Sequence, residues 1–253
     1  MPKLRAKTVA IKSLSDADVQ RMYGLMTLTY DAMTFERFHA DLVAKDDVIL
    51  LLDCETRKIQ GFSTLVSVYA GGSDGRRYRG VFSGDTVIHP DYWGGSALGK
   101  AFLAYLFRLK IKAPLSPLYW VLISKGYKSY LIMANNFSTH FPRYERETPP
   151  KEQAILHAFG KGLFGKDYST AKGIVTFEES HGHLKVGVAE VPSSDAGENP
   201  RIAFFEEMNP GWRQGSELVC ISKMTLLMPL YYGLKKTLRF KKLRTRRRRL
   251  EAK

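Results

Sequence analysis

A chain of 253 residues with 44% hydrophobic and 25% charged side chains can bury a large core, which excludes a disulfide-held mini-protein and a wholly disordered chain. Its formal charge of +14 suggests a polyanionic partner until it is divided by position: residues 235–253, KKTLRFKKLRTRRRRLEAK, hold 11 of the 39 Lys and Arg against one acid, Glu251, so the basic signal belongs largely to the tail. No apolar signal-peptide core opens the chain and no run of about 18 uncharged apolar residues occurs, so neither export nor a membrane span is expected.

Cys54 and Cys220 sit in apolar strand-like runs, where small hydrophobic roles in a reducing, cytoplasmic compartment are expected. TVAIKSL at 8–14 predicts a first strand. One or two helices follow over 15–47, with Ser15 as N-cap and Asp16 and Asp18 in the first turn. VILLLDCETRKIQGFSTLVSVYAGG then predicts a hairpin, the start of an antiparallel sheet.

YRGVFSGDTVIHP predicts the next strand, ended by Pro90, and apolar positions at Leu98, Ala101, Phe102, Tyr105, Leu106 and Leu109 predict a deeply packed helix from about Ser96. LYWVLIS at 118–124 suits a central strand, and GYKSYLIMANNFSTHF a helix running to Pro142. Thr148 as cap and Pro149 at the first helical position predict a shorter helix that frays at Gly160, Gly162 and Gly165. KGIVTFEES and LKVGVAEVP around His181-Gly182-His183 read as a hairpin, PRIAFFEEMNP as a short helix and SELVCISKM as the last strand. The expected organisation is one α/β domain over 1–234, elaborated by an insertion or lid at 141–215, and a basic tail over 235–253.

The junction GDTVIHPDYWGGSALGKAFLAYLF has chemical promise. A helix N-terminus offers unpaired backbone N–H groups and the positive dipole end. Gly94, Gly95, Ser96 and Ala97 would let a phosphate approach them, with the Lys100 charge nearby. The alternative is a glycine turn and nothing more. A Walker loop is excluded by the missing Gly-Lys-Ser/Thr ending, and a dinucleotide fingerprint by the missing GxGxxG spacing.

VIHPDYWGGSALGKAFLAYLF resembles the acyl-CoA-binding motif of the GCN5-related N-acetyltransferase superfamily, in which a strand and a Pro turn lead through an Arg/Gln-x-x-Gly-x-Gly/Ala loop into a helix. Pro90 and Tyr92 match the turn, Trp93 takes the Arg/Gln place, Ala97 the first Gly place and Gly99 the second, with one extra residue near Gly95. The order of elements over roughly 8–140 agrees. The resemblance implies a mixed central sheet flanked by helices, an acyl-CoA or acyl-phosphopantetheine carrier as co-substrate, and transfer of its acyl group to a primary amine by direct attack. It implies a donor site at Val87, Ile88, Trp93, Gly94, Gly95, Ser96, Ala97, Leu98, Gly99 and Lys100, with the pantetheine arm between the splayed ends of strands 81–89 and 118–124. The middle insertion and basic end resemble the acyl-carrier-protein-using branch, such as long-chain N-acyl amino acid synthases; an acidic carrier protein suits a basic patch.

Amine acylation needs a base for the ammonium proton and an acid for the leaving thiolate. Strict alternation places Val81, Ser83, Asp85, Val87 and His89 on one strand face. Asp85 is the first choice of base and His89 the second; the rival reading puts Ser83 and Asp85 on a solvated face. A Ser83/Asp85/His89 triad is not expected, because strand residues two apart sit about 7 Å from one another. Tyr130, on the helix after Ser124, is the candidate acid, against a packed tyrosine. His157, His181 and His183 lack the spacing of a zinc site, and no metal is expected.

The tail admits three readings. Arg246, Arg247, Arg248 and Arg249 could bind phosphate polymers, although with few interleaved aromatics nucleic acid is less well supported. LLMPLYYGLKKTLRFKKLRTRRRR fits an interfacial anchor on an anionic membrane, which would place the chain on the inner membrane face. It equally fits a solvated extension. The alternative to an enzyme is a non-catalytic scaffold that binds membrane or nucleic acid through this end.

Overall fold

Nine strands pair into one mixed sheet in the computed structural model, which describes residues 3–31, 33–72, 74–177 and 199–233. β1 (Leu4–Ala10), β2 (Asp47–Asp53), β3 (Ile59–Gly71) and β4 (Arg77–Ile88) form an antiparallel meander. β5 (Leu118–Ser124) runs parallel to β4. On its other side lies the late strand β9 (Glu217–Met224), antiparallel to it. The short β6 (His140–Phe141), β7 (Tyr168–Ser169) and β8 (Ile174–Val175) complete the sheet, β6 and β8 against β9 and β7 against β8.

Helices cover the two faces, which explains why the central strands read as nearly continuous apolar runs. Ile49, Leu51, Val81, Trp120 and Leu122 point toward α3 (Ala97–Lys112), α4 (Tyr127–Asn136) and α6 (Pro200–Met208). Their neighbours one residue away point the other way: Val48 and Leu50, with Phe62 of β3, to α1 (Asp16–Thr29) and α2 (Phe35–Val43), and Tyr119 and Val121, with Ile221 of β9, to α5 (Pro150–Phe164). The period of two thus sorts each strand between two cores.

Several sequence expectations hold locally. The Ser15 side chain accepts from the Asp18 N–H at 3.2 Å while Asp18 accepts from the Ser15 N–H, a closed capping box that starts α1. β5 spans the expected residues. Others are corrected. The first strand occupies 4–10 because its register is set by β2, from Leu4 opposite Asp53 to Ala10 opposite Asp47. α4 stops at Asn136, short of Pro142, because His140 and Phe141 are drawn onto the edge of β9. Pro149 is the N-cap of α5 and Pro150 its first residue, one position later than expected. α5 does not fray at Gly160 but runs to Phe164; Gly160 is packed so tightly that an added Cβ would lie 2.5 Å from the Tyr168 ring. The 141–215 segment supplies Phe141 of β6 and all of β7, β8, α5 and α6 to this sheet and its faces. The second half of the hairpin around His181 and His183, and the basic tail at 235–253, lie outside the described residues.

The expected single face of β4 is also overturned. Leu65 pairs with Ser83 but Ser63 pairs with Thr86, so Thr64 faces two residues, Gly84 and Asp85. This β-bulge reverses the alternation. Val81 packs with α3 while Val87, which strict alternation puts beside it, packs with α1 and α2.

Candidate functional site

The bulge does more than reverse a face, because β4 and β5 pair only as far as Ser83 opposite Leu122. Beyond it β4 stays with β3 to Ile88, while β5 stays with β9 to Ser124. The two parallel strands therefore part like a wedge, and a cleft of about 690 Å³ opens there, a size suited to a small-molecule site. Its walls include Ser83, Gly84 and Asp85 from β4, Trp120 and Leu122 from β5, and Gly94, Gly95 and Ser96 ahead of α3. The Trp120 indole N–H donates to Ser83 Oγ at 2.9 Å, a tie at the apex.

At one end of the cleft lies the α3 N-terminus. Gly94 turns the chain at φ +82°, a conformation that favours glycine. Ser96 is the N-cap residue but its side chain makes no capping bond, so the first-turn N–H groups keep their capacity for an acceptor. Of the expected donor-site positions, Ile88, Gly94, Gly95, Ser96, Leu98 and Gly99 line the cleft. Val87 does not, being buried on the far face by the bulge. Ala97 packs on the core, and Lys100 is exposed outside the lining. Trp93 flanks the loop, its N–H donating to the Ile88 carbonyl at 2.7 Å and its ring 4.9 Å from Lys128 Nζ.

A group of ionisable side chains gathers on the α1/α2 side: Tyr30, Asp41, Lys45, Asp85, Lys125 and Glu217 all border the cleft. Lys45 bonds Asp41, its neighbour one helical turn back, and its chain passes over Gly84, where an added Cβ would lie 3.0 Å from Lys45 Cε. Asp85 is half-buried, open to the cleft and otherwise enclosed. Burial first, then the charge and hydrogen bond of Asp41, push its carboxyl up to about 7, against the pull of Lys45. Burial also raises Glu217, which lies 3.4 Å from Lys125 Nζ. Tyr30 is raised well above an ordinary phenol by burial and by the Asp85 and Glu217 charges, so it holds its proton at neutral pH.

The structure separates the other two catalytic candidates from Asp85. His89 turns onto its own loop, its Nδ1 accepting from the Asp91 N–H at 3.4 Å, outside the cleft lining. Tyr130 is buried between α4 and α6 against His140 and Phe205, its hydroxyl donating to the Pro142 carbonyl at 3.3 Å. The placement of Tyr130 is that of a packed tyrosine. The phenol in the cleft is Tyr30. His157 Nδ1 lies 2.6 Å from the Tyr168 hydroxyl and Nε2 2.6 Å from Gln153 Nε2, a structural chain behind α5.

Tyr30, Asp41, Lys45, Lys125 and Glu217 were not legible as site residues. Two faint signals existed. Asp41 and Lys45 have the i, i+4 spacing of a helical ion pair. Lys125 follows β5 and Glu217 begins β9, so the antiparallel register of Ser124 opposite Leu218 brings them together.

No protein-family model matches the chain, and no curated protein does. Solved structures align with about half of it. A conserved protein of Enterococcus faecalis aligns at 18% identity and TM-score 0.39, over 51% of this chain and 31% of that one, so this chain spans under a third of that relative's length. A GNAT-family N-acetyltransferase of Escherichia coli in complex with CoA aligns at 14% identity and TM-score 0.38, over 55% of this chain and 72% of that one. An acetyltransferase of Trypanosoma brucei aligns at 20% identity and TM-score 0.37, over 58% of this chain and 98% of that one.

Proposed function

We propose that the protein is an N-acyltransferase that moves an acyl group from a phosphopantetheine thioester, on CoA or on a carrier protein, to a primary amine. The observation that carries this reading is the wedge between β4 and β5 with Asp85 on its wall and an uncapped helix N-terminus at its end. An extended thioester arm finds unpaired strand backbone along the wedge. A phosphate finds N–H groups at Gly95, Ser96 and the first turn of α3.

Asp85 takes one proton from the ammonium, the freed amine nitrogen attacks the thioester carbonyl carbon, the C–S bond breaks, the sulfur takes a proton from Tyr30, and the second proton released by the nitrogen as the amide forms returns to Tyr30. Magnitudes favour this base. A lysine-like ammonium titrates near 10.4, so a carboxylate at its usual 3.8 is about 9 kcal/mol too weak to accept its proton, at 1.36 kcal/mol per pH unit. A carboxyl at about 7 reduces that gap to about 5 kcal/mol. Tyr30, which keeps its proton, is the group placed to supply one to the departing sulfur.

The test is thiol release from acyl-CoA and acyl-carrier donors in a mixed amine pool, followed against pH. The reading expects kcat/KM to rise to a plateau through an apparent pKa of about 7, and Asp85→Asn to lose the limb together with about a hundredfold in rate. An unchanged profile in Asp85→Asn would remove the carboxylate from the reaction.

A further inference from the structure

After β9 the chain turns into a helical stretch at 228–233. Its two sides differ sharply. Met228 is buried in the core under α3, and Tyr232, one turn on, packs on that core and lines the cleft, its hydroxyl 3.6 Å from where a Cβ on Gly99 would stand. Leu227 and Leu230, on the opposite side at i, i+3 spacing, are 70% and 65% exposed, and Leu226 is 46% exposed. Single exposed leucines need no explanation, but these three stand together beside a cleft and lead directly into the densest basic sequence of the chain.

We propose that the face formed by Leu226, Leu227 and Leu230 docks into the headgroup boundary of an anionic bilayer, beside the cleft, with the Lys and Arg of 235–253 contacting acidic lipid. Charge complementarity selects this occupant. Eleven bases against one acid over 19 residues attract an anionic surface, and an adjoining apolar face adds insertion to that attraction. A nucleic acid would use the charge but leave the leucines in water. Among the described residues no helix is long and apolar enough to cross a membrane, so the contact is in-plane. Because Tyr232 belongs both to this stretch and to the cleft wall, docking brings the cleft to the lipid surface. The inference stands independently of the acyl-transfer reading.

The experiment is co-sedimentation of the full chain with phosphatidylcholine vesicles, with and without roughly one third phosphatidylserine, and with a mixed oligonucleotide as competitor. Binding should require phosphatidylserine and fall about tenfold or more in Leu227→Glu/Leu230→Glu, whose exposed positions leave the core intact. Replacing Arg246, Arg247, Arg248 and Arg249 by Gln should weaken it similarly, and the oligonucleotide should displace little protein. Thermal melts of both variants should match the parent. No binding to the anionic vesicles overturns the proposal, as does binding that the leucine substitutions leave unchanged. A parent chain that elutes as a dimer, and becomes monomeric in the leucine variant, would assign the face to a second copy instead. Since the readout is sedimentation, a failed vesicle test leaves acyl transfer untouched, and an inactive protein leaves docking untouched.

Discussion

Replacing Asp85 by Asn changes the charge at the cleft wall while keeping shape and a hydrogen-bond donor toward Asp41, so it isolates the cost of ionising a buried carboxyl. The wild-type carboxyl titrates near 7 in the fold against 3.8 for an unperturbed one. Between those values the folded protein binds more protons than the unfolded chain, so this group's contribution is full below about pH 4 and is lost as pH rises through about 7. The full displacement corresponds to about 4 kcal/mol at 1.36 kcal/mol per pH unit. Because Asp85 opens onto the cleft, where water screens it, about 2 kcal/mol is the expected realised part. Urea unfolding of both proteins at about pH 5 and about pH 8.5 measures it. More than a third of that is already lost by about pH 5, so the stability of Asp85→Asn relative to wild type should rise by about 1 kcal/mol between the two pH values, roughly 2–4 °C in Tm. A difference that is the same at both values, or that favours wild type more at the higher one, would refute the assignment of a raised, charge-opposed carboxyl.

Tyr30→Phe should slow thiol release by about ten- to a hundredfold, whereas Tyr130→Phe should leave the rate unchanged and cost about 1 kcal/mol through the lost bond to Pro142; parallel kinetics and urea melts separate the two. Gly160→Ala drives a methyl into the Tyr168 ring and should destabilise by about 1–3 kcal/mol, read as a lower urea midpoint with unchanged slope. Ser15→Ala opens the α1 capping box and should cost about 1 kcal/mol in the same assay.

What the sequence revealed depended on how far each determinant lay from its residue. Ser15 with Asp18 is a three-residue signal and was legible. So was β5, a short apolar run bounded by Pro117 and Gly126. The β4 bulge was not, because nothing in SGDT says that Thr64, about twenty positions earlier, faces two residues. From that one hidden feature follow the wrong face for Val87 and the real neighbours of Asp85. Tyr130 stayed open between candidate acid and packed side chain for a related reason: a tyrosine early in a helix fits both a site and a core, and its surroundings come from α6, some seventy residues later. The ionisable group was invisible because α2, β4, β9 and the residues just beyond α1, α2 and β5 each contribute a single member. Gly94, Gly95 and Ser96 reached the cleft as expected because a strand, a glycine turn and a helix start are all local.

The central claim is that the wedge between β4 and β5 carries a thioester to an amine without an enzyme-bound acyl intermediate. Its most direct measurement is a mass-spectrometric time course of the full chain with acyl-CoA or acyl-carrier protein and a mixed amine pool, recording products and intact protein together. One amide should form per thiol released, dependent on added amine, with the protein mass unchanged throughout. Neither amide nor donor binding, or a protein mass raised by one acyl group before any amide forms, would contradict it.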